Sequence, residues 1–395
     1  MRPAGQIDQL DGVRALAVLA VMAFHSFVLS TGYYGVDVFF VLSGMLITGI
    51  LLGEHDTRGG VSLGRFYQRR LLRLYPALLA MLLLTTPFGS LLSGDGTWRA
   101  WFEAVAAAAT YTSNLAILAD GTQVLGALGP TWSLAVEMQF YLVWPLVFVW
   151  LLARGIDRRV LTALVAVAAA GCLSLFWLLD TEGPAALAVA PSYFRPDARF
   201  GELLVGCTLA LALSQRRGAL TWWAERGLSL GAVAGLGGLL GAHLLHGSQG
   251  TVVPIPVVVV ATALVLARLV TSDRALLSRA LRVPPLPQIG RISYAAYLWQ
   301  LPVLALAAEL PLAALHEDIA FWGGTLVLAW LSTRFVEAPF LRRKDRLRTT
   351  RVTTGLGGSP SAADAQAARH RRGAPAVEQH ADADADARVG SAVQP

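Results

Sequence analysis

Residues 36–53 read VDVFFVLSGMLITGILLG, an unbroken apolar run with a single charged group, Asp37. At ~1.5 Å per residue the run makes a helix of about 27 Å, close to the ~30 Å hydrocarbon core of a bilayer. Comparable runs lie near 13–31, 71–93, 131–152, 158–178, 199–214, 228–246, 253–270, 289–308 and 319–337. The composition agrees: of 395 residues, 55% are hydrophobic and 15% charged, where soluble domains hold about 25% charged residues. The reading is an all-α polytopic membrane protein, a ten-helix transmembrane bundle. The first run is taken as a retained span, because no small-x-small cleavage site precedes the second.

Segment 99–119 does not fit the pattern. It carries Glu103, Thr110, Thr112, Ser113 and Asn114 among alanines, so it inserts poorly. If it does not cross, the basic loops share one side: Arg58, Arg65, Arg69 and Arg70; Arg154, Arg158 and Arg159; Arg216, Arg217 and Arg226; Arg274, Arg279, Arg282 and Arg291. The positive-inside rule makes that side cytoplasmic. Both termini then lie in the cytoplasm of a multi-pass cell-membrane protein, with 99–119 re-entrant or interfacial. The transmembrane domain is expected over 1–342. From 343 to 395 the chain turns to Arg, Ala, Gly, Ser and Asp and ends in HADADADARVG, a disordered polar cytoplasmic tail by composition.

Several function classes drop out. The net charge of +6 (32 − 26) belongs to loops flanking spans, which gives no case for nucleic acid. Cys172 and Cys207 sit in apolar runs without CxxC spacing, and His243 and His246 have no carboxylate beside them, so no metal site is expected. The glycines of GLGGLLG, 235–241, read as small-residue helix packing.

Polar groups inside spans are the functional candidates, since each is expensive to place there. Arg14 and His25 are eleven residues apart on the first span, so they share a face about 16 Å apart along the axis. Arg70 and Arg73, at i and i+3 where the third span begins, aim two guanidinium forks the same way, which suits phosphate. Ser133 and Glu137, at i and i+4, mark the outer end of the fourth span. Asp37 lies just inside the second span between Gly35 and Gly44, which permit close helix approach. Asp197, Arg199 and Glu202 are expected with Arg195 as an outward-facing charged cluster. Trp132, Tyr141 and Trp144 read as interface aromatics without chemistry. Structural alternatives stand beside these: an anchoring Arg14, snorkelling arginines, and ion pairs that only hold helices together.

Together these segments carry a resemblance. LDGVRALAVLAVMAFH (10–25), GVDVFFVLSGMLIT (35–48), RRLLRLYP (69–76) and TWSLAVEMQFYLVWP (131–145), followed by ISYAAYLWQLPV (292–303) and RFVEAPF (334–340), are similar to the acyltransferase 3 family of integral membrane O-acyltransferases. The resemblance implies transfer of an acyl group, often acetyl, from cytoplasmic acyl-CoA to a hydroxyl of a cell-envelope glycan, another carbohydrate or a natural product, with no metal. It maps the family's arginine-to-histidine pattern onto Arg14 and His25, its paired arginines onto Arg70 and Arg73, and its serine-to-glutamate pattern onto Ser133 and Glu137. The donor's phosphates would meet Arg70, Arg73 and Arg14. His25 would deprotonate the acceptor or itself be acylated, and Glu137 would orient the imidazole or bind acceptor hydroxyls. One departure is Gln300, where relatives commonly carry histidine; a supporting role follows from its hydrogen-bonding ability. Another is the lack of the extracytoplasmic hydrolase-like domain of some members, which suggests a stand-alone enzyme. The alternative is a proton-coupled transporter, since buried His, Asp and Glu also describe such carriers.

Overall fold

The computed structural model describes residues 8–179, 191–216, 226–231, 235, 237, 254–272, 276–311 and 314–341. Among these, all regular structure is helical. The principal helices are α1 (Asp8–His25), α2 (Gly35–Arg58), α3 (Leu63–Thr85), α4 (Trp98–Ala109), α5 (Ser113–Asp120) and α6 (Thr131–Ala153), then α7 (Arg158–Leu179), α8 (Pro196–Ser214), α9 (Ile255–Thr271), α10 (Leu286–Arg291), α11 (Ser293–Ala308) and α12 (Ala314–Leu331). Most of the expected span at 228–246, with His243, His246 and most of the GLGGLLG run, lies outside the described residues, as does the tail from 343.

Among the described residues, five stretches are long and apolar enough to cross a membrane: Gly32–Arg58, Leu63–Leu92, Thr131–Ala153, Arg158–Leu179 and His316–Leu341. Their outward faces are apolar too. Leu83, Val167 and Leu178 are each more than 70% exposed, a surface that suits lipid and not water.

The 99–119 segment is broken into α4 and α5, about 18 Å and 12 Å long at the helical rise, each short of a bilayer. The break falls at Tyr111, which takes φ 56°. Gln139 of α6 compensates: its amide donates to the Tyr111 carbonyl at 3.1 Å and to Asn114 Oδ1 at 2.9 Å, so the interrupted backbone is not left unpaired.

The first helix also stops earlier than its apolar run, at His25, where Ser26 and Val28 bond back to Met22 and Ala23 and Phe27 takes φ 59°. His25 therefore occupies a helix end. At its other end, α1 meets the 281–291 segment so closely that a Cβ on Gly290 would stand 1.8 Å from the Asp11 carbonyl oxygen.

Glycine sets the approach of α2 to α8. A Cβ on Gly44 would stand 1.9 Å from the Leu203 carbonyl oxygen, and one on Gly206 2.0 Å from that of Val41. The two backbones meet where only hydrogen fits, as Gly44 led us to expect.

Candidate functional site

Two adjoining cavities hold most of the predicted residues. The first is lined by Arg14, Ser43, Arg70, Arg73, Ser133, Glu137 and Tyr141, among others. The second is lined by His25, Phe24, Tyr33, Trp132, Tyr193, Phe194 and Tyr297, among others. Their volumes, about 100 and 240 Å³, exceed the ~10–15 Å³ that one water needs, so both admit ligand atoms. Val36 and Tyr297 line both.

The arginine cavity is lined by five helices, α1, α2, α3, α6 and α11. Arg14 of α1 bonds Asp11 at 3.0 Å. Arg70 and Arg73 of α3 make no hydrogen bond or ion pair among the described residues, although Arg70 lies 5.0 Å from the centre of the Tyr141 ring. Their neighbours Arg65 and Arg69 point elsewhere and, with Arg58, close on the buried Glu54 at 3.1 to 3.3 Å. The basic run is thus sorted by helix face: one side locks α3 to α2, and the other presents unpaired forks to the cavity. Convergent guanidinium groups favour an anion with several acceptor oxygens, and the Glu137 carboxylate in the same cavity is not within ion-pair distance of Arg70 or Arg73 among the described residues.

Glu137 stands opposite on α6. Ser43 and Tyr141 both donate to its Oε1, Tyr141 at 2.5 Å. The carboxylate therefore belongs to the arginine cavity and does not touch the imidazole. Ser43 escaped the sequence reading, where a serine within the apolar run of α2 was the available signal, and Tyr141, read as an interface aromatic, is instead a buried partner of Glu137. Trp132 and Trp144 are likewise buried and not at an interface: Trp132 walls the histidine chamber, and Trp144 donates to Thr48 at 2.9 Å.

In the chamber, His25 is oriented by Gln300. Its Nδ1 lies 3.2 Å from Gln300 Oε1, and Gln300 Nε2 donates to the Tyr297 carbonyl at 3.2 Å. The second bond fixes which end of the amide faces the ring. An amide oxygen only accepts, so Nδ1 carries the proton and Nε2 keeps a lone pair. That is the tautomer a general base needs.

The charged cluster expected on α8 is divided. Arg195 and Asp197 pair at the surface, 2.7 Å apart and more than 40% exposed, and the guanidinium holds the Asp197 carboxyl below the usual carboxylate range. Asp197 lines neither cavity. Arg199 and Glu202 are not outward-facing: both are buried, 2.7 Å apart, and Asp37 reaches Arg199 at 2.9 Å. Helical spacing explains the split, since Asp197 and Arg199 are two residues apart and take different faces. The Arg199 guanidinium lies 4.5 Å from the centre of the Tyr193 ring and 5.5 Å from that of Trp132, so this network backs two aromatic walls of the histidine chamber.

The chain is 29% identical over 358 residues to "O-acetyltransferase OatA" of Staphylococcus aureus (strain NCTC 8325 / PS 47), an alignment covering 85% of this chain and 57% of that protein. It is 30% identical over 361 residues to "Peptidoglycan O-acetyltransferase OatA" of Listeria monocytogenes, covering 84% and 55%. The chain thus spans little more than half the length of these curated relatives. No solved structure matches. The acyltransferase domain model of the acyltransferase 3 family matches residues 7–334, which takes in both cavities, and to that family this chain belongs.

Proposed function

We propose that the chain is a membrane-embedded O-acyltransferase that takes a short acyl group, acetyl in the simplest case, from cytoplasmic acyl-CoA and places it on a hydroxyl of a glycan or related acceptor. One observation carries the reading: three arginines, two of them without an ion pair among the described residues, converge on a cavity that shares Val36 and Tyr297 with a chamber holding His25, whose Nδ1 faces Gln300. Arg14, Arg70 and Arg73 hold the donor's phosphates. The aromatic walls of the chamber offer flat apolar faces to the C–H faces of a sugar ring, while His25 supplies polarity at one point. Names of relatives add weight on the acceptor side, since one is a peptidoglycan O-acetyltransferase.

His25 Nε2 takes the proton of the acceptor hydroxyl as that oxygen bonds to the acyl carbon. The carbon–sulfur bond breaks, and the leaving thiolate recovers the proton, giving an ester and free CoA. Glu137, held by Ser43 and Tyr141, fixes the wall opposite the arginines, and the Asp37–Arg199–Glu202 network supports the chamber. Topologically, we read ten spans within residues 1–342, both termini cytoplasmic, 99–119 not crossing, and a polar tail from 343. Family membership gives the transporter alternative no support.

Binding of acetyl-CoA to purified protein tests this, with free CoA followed in parallel. The arginine double variant Arg70→Ala/Arg73→Ala loses binding, whereas His25→Ala keeps binding and loses about 10²–10⁴-fold in turnover. Absence of acetyl-CoA binding by the unmodified protein would falsify the donor assignment and point to a different acyl donor.

A further inference from the structure

We propose that Tyr297 is the partition between the two cavities, a positioning residue that keeps water in the histidine chamber away from the donor thioester until an acceptor is seated. The proposal rests on the assignment of donor and acceptor cavities above. Of the two residues that line both cavities, Val36 is a small aliphatic group, and Tyr297 supplies the ring. Its hydroxyl shares a hydrogen bond with that of Ser133 at 2.7 Å, and Ser133 also donates to the Pro130 carbonyl at 3.2 Å. Because serine has one hydroxyl proton, the tyrosine is the donor to Ser133. The ring is therefore latched to α6 at its tip and meets Phe39 edge-on, with 6.3 Å between centroids.

The backbone of the same residue does something different. The Tyr297 carbonyl accepts from Gln300, whose other end sets His25. Rotation of the Tyr297 side chain breaks one neutral hydrogen bond and joins the cavities, yet leaves the carbonyl, Gln300 and the imidazole where they were. The residue can thus open a path for the acyl group without disturbing the base. A closed ring matters because water competes with the acceptor: its oxygen would bond to the acyl carbon, the carbon–sulfur bond would break, the thiolate would take the proton, and the acyl group would be lost as the free acid.

Two readouts test this. The first needs no donor: Leu46, which lines the arginine cavity, is replaced by cysteine in a Cys172→Ser background and treated in intact cells with a membrane-impermeant methanethiosulfonate. Labelling is expected to be negligible with Tyr297 present, at least tenfold faster with Tyr297→Ala, and intermediate with Tyr297→Phe, which keeps the ring but loses the latch. The second is acetyl-CoA hydrolysis by purified protein without acceptor, expected to rise about tenfold relative to transfer in the same variants. Unchanged labelling in both variants, whether high or low, overturns the proposal. If Tyr297→Ala fails to fold, Tyr297→Phe alone decides, and wild-type behaviour overturns it. Failure of the wild type to bind acetyl-CoA would instead remove the donor assignment, and the labelling result would still judge the partition.

Discussion

His25 and Gln300, 275 residues apart in sequence, meet at 3.2 Å through Nδ1 and Oε1. The contact makes a base of a ring that would otherwise populate both tautomers. Replacing Gln300 with leucine removes the acceptor, and we expect turnover to fall about 10–100-fold with donor binding unchanged, measured as acyl transfer and acetyl-CoA affinity on one preparation. Gln300→Glu still accepts from Nδ1 and should retain most turnover. Equal loss in both variants would mean that the contact only packs the helix.

Arg199 is a stability residue first. Its removal strands the Asp37 and Glu202 carboxylates in a site closed to the protein surface. Arg199→Leu should destabilise the protein by roughly 3–5 kcal/mol, because breaking a buried ion pair leaves charge uncompensated. Thermal unfolding in detergent measures this. Arg199→Lys keeps the charge but loses the planar fork against Tyr193 and should fall between the two.

At the α2–α8 contact the prediction is steric. Gly206→Leu puts its first side-chain carbon 2.0 Å from the Val41 carbonyl oxygen, so the helices must part. We expect a loss of about 1–3 kcal/mol or more and poor recovery of folded protein on size-exclusion chromatography. Gly49, with nothing within 4 Å of an added Cβ, should accept alanine without loss and serves as the control.

The helical architecture and much of the site could be read from the residues because hydrophobic run length and the 3.6-residue period are local properties. Arg70 and Arg73 share a cavity as their i, i+3 spacing required, and Ser133 joins Glu137 in it. What could not be read depends on neighbours distant in sequence. Nothing within α8 says that Asp197 faces solvent and Arg199 faces Asp37, since that is decided by where α2 packs. The separation of His25 from Glu137 into two compartments was equally invisible, because the dividing ring comes from α11. The early end of α1 at His25 rests on a left-handed Phe27 that no propensity favours.

Glu54 separates adhesion from recognition by ionic strength. Its carboxylate is 7% exposed and holds three arginines, so its attraction is shielded from dissolved ions, whereas Arg70 and Arg73 await a ligand that arrives from solution. Raising salt from about 0.05 to about 0.5 M shortens the Debye length from roughly 14 to 4 Å. Donor affinity should weaken several-fold across that range while the melting temperature stays nearly constant, and Glu54→Gln should make the melting temperature fall without changing the salt slope of binding. A run of basic residues in one helix would thus consist of a fastener indifferent to its medium and a grip whose strength the medium sets.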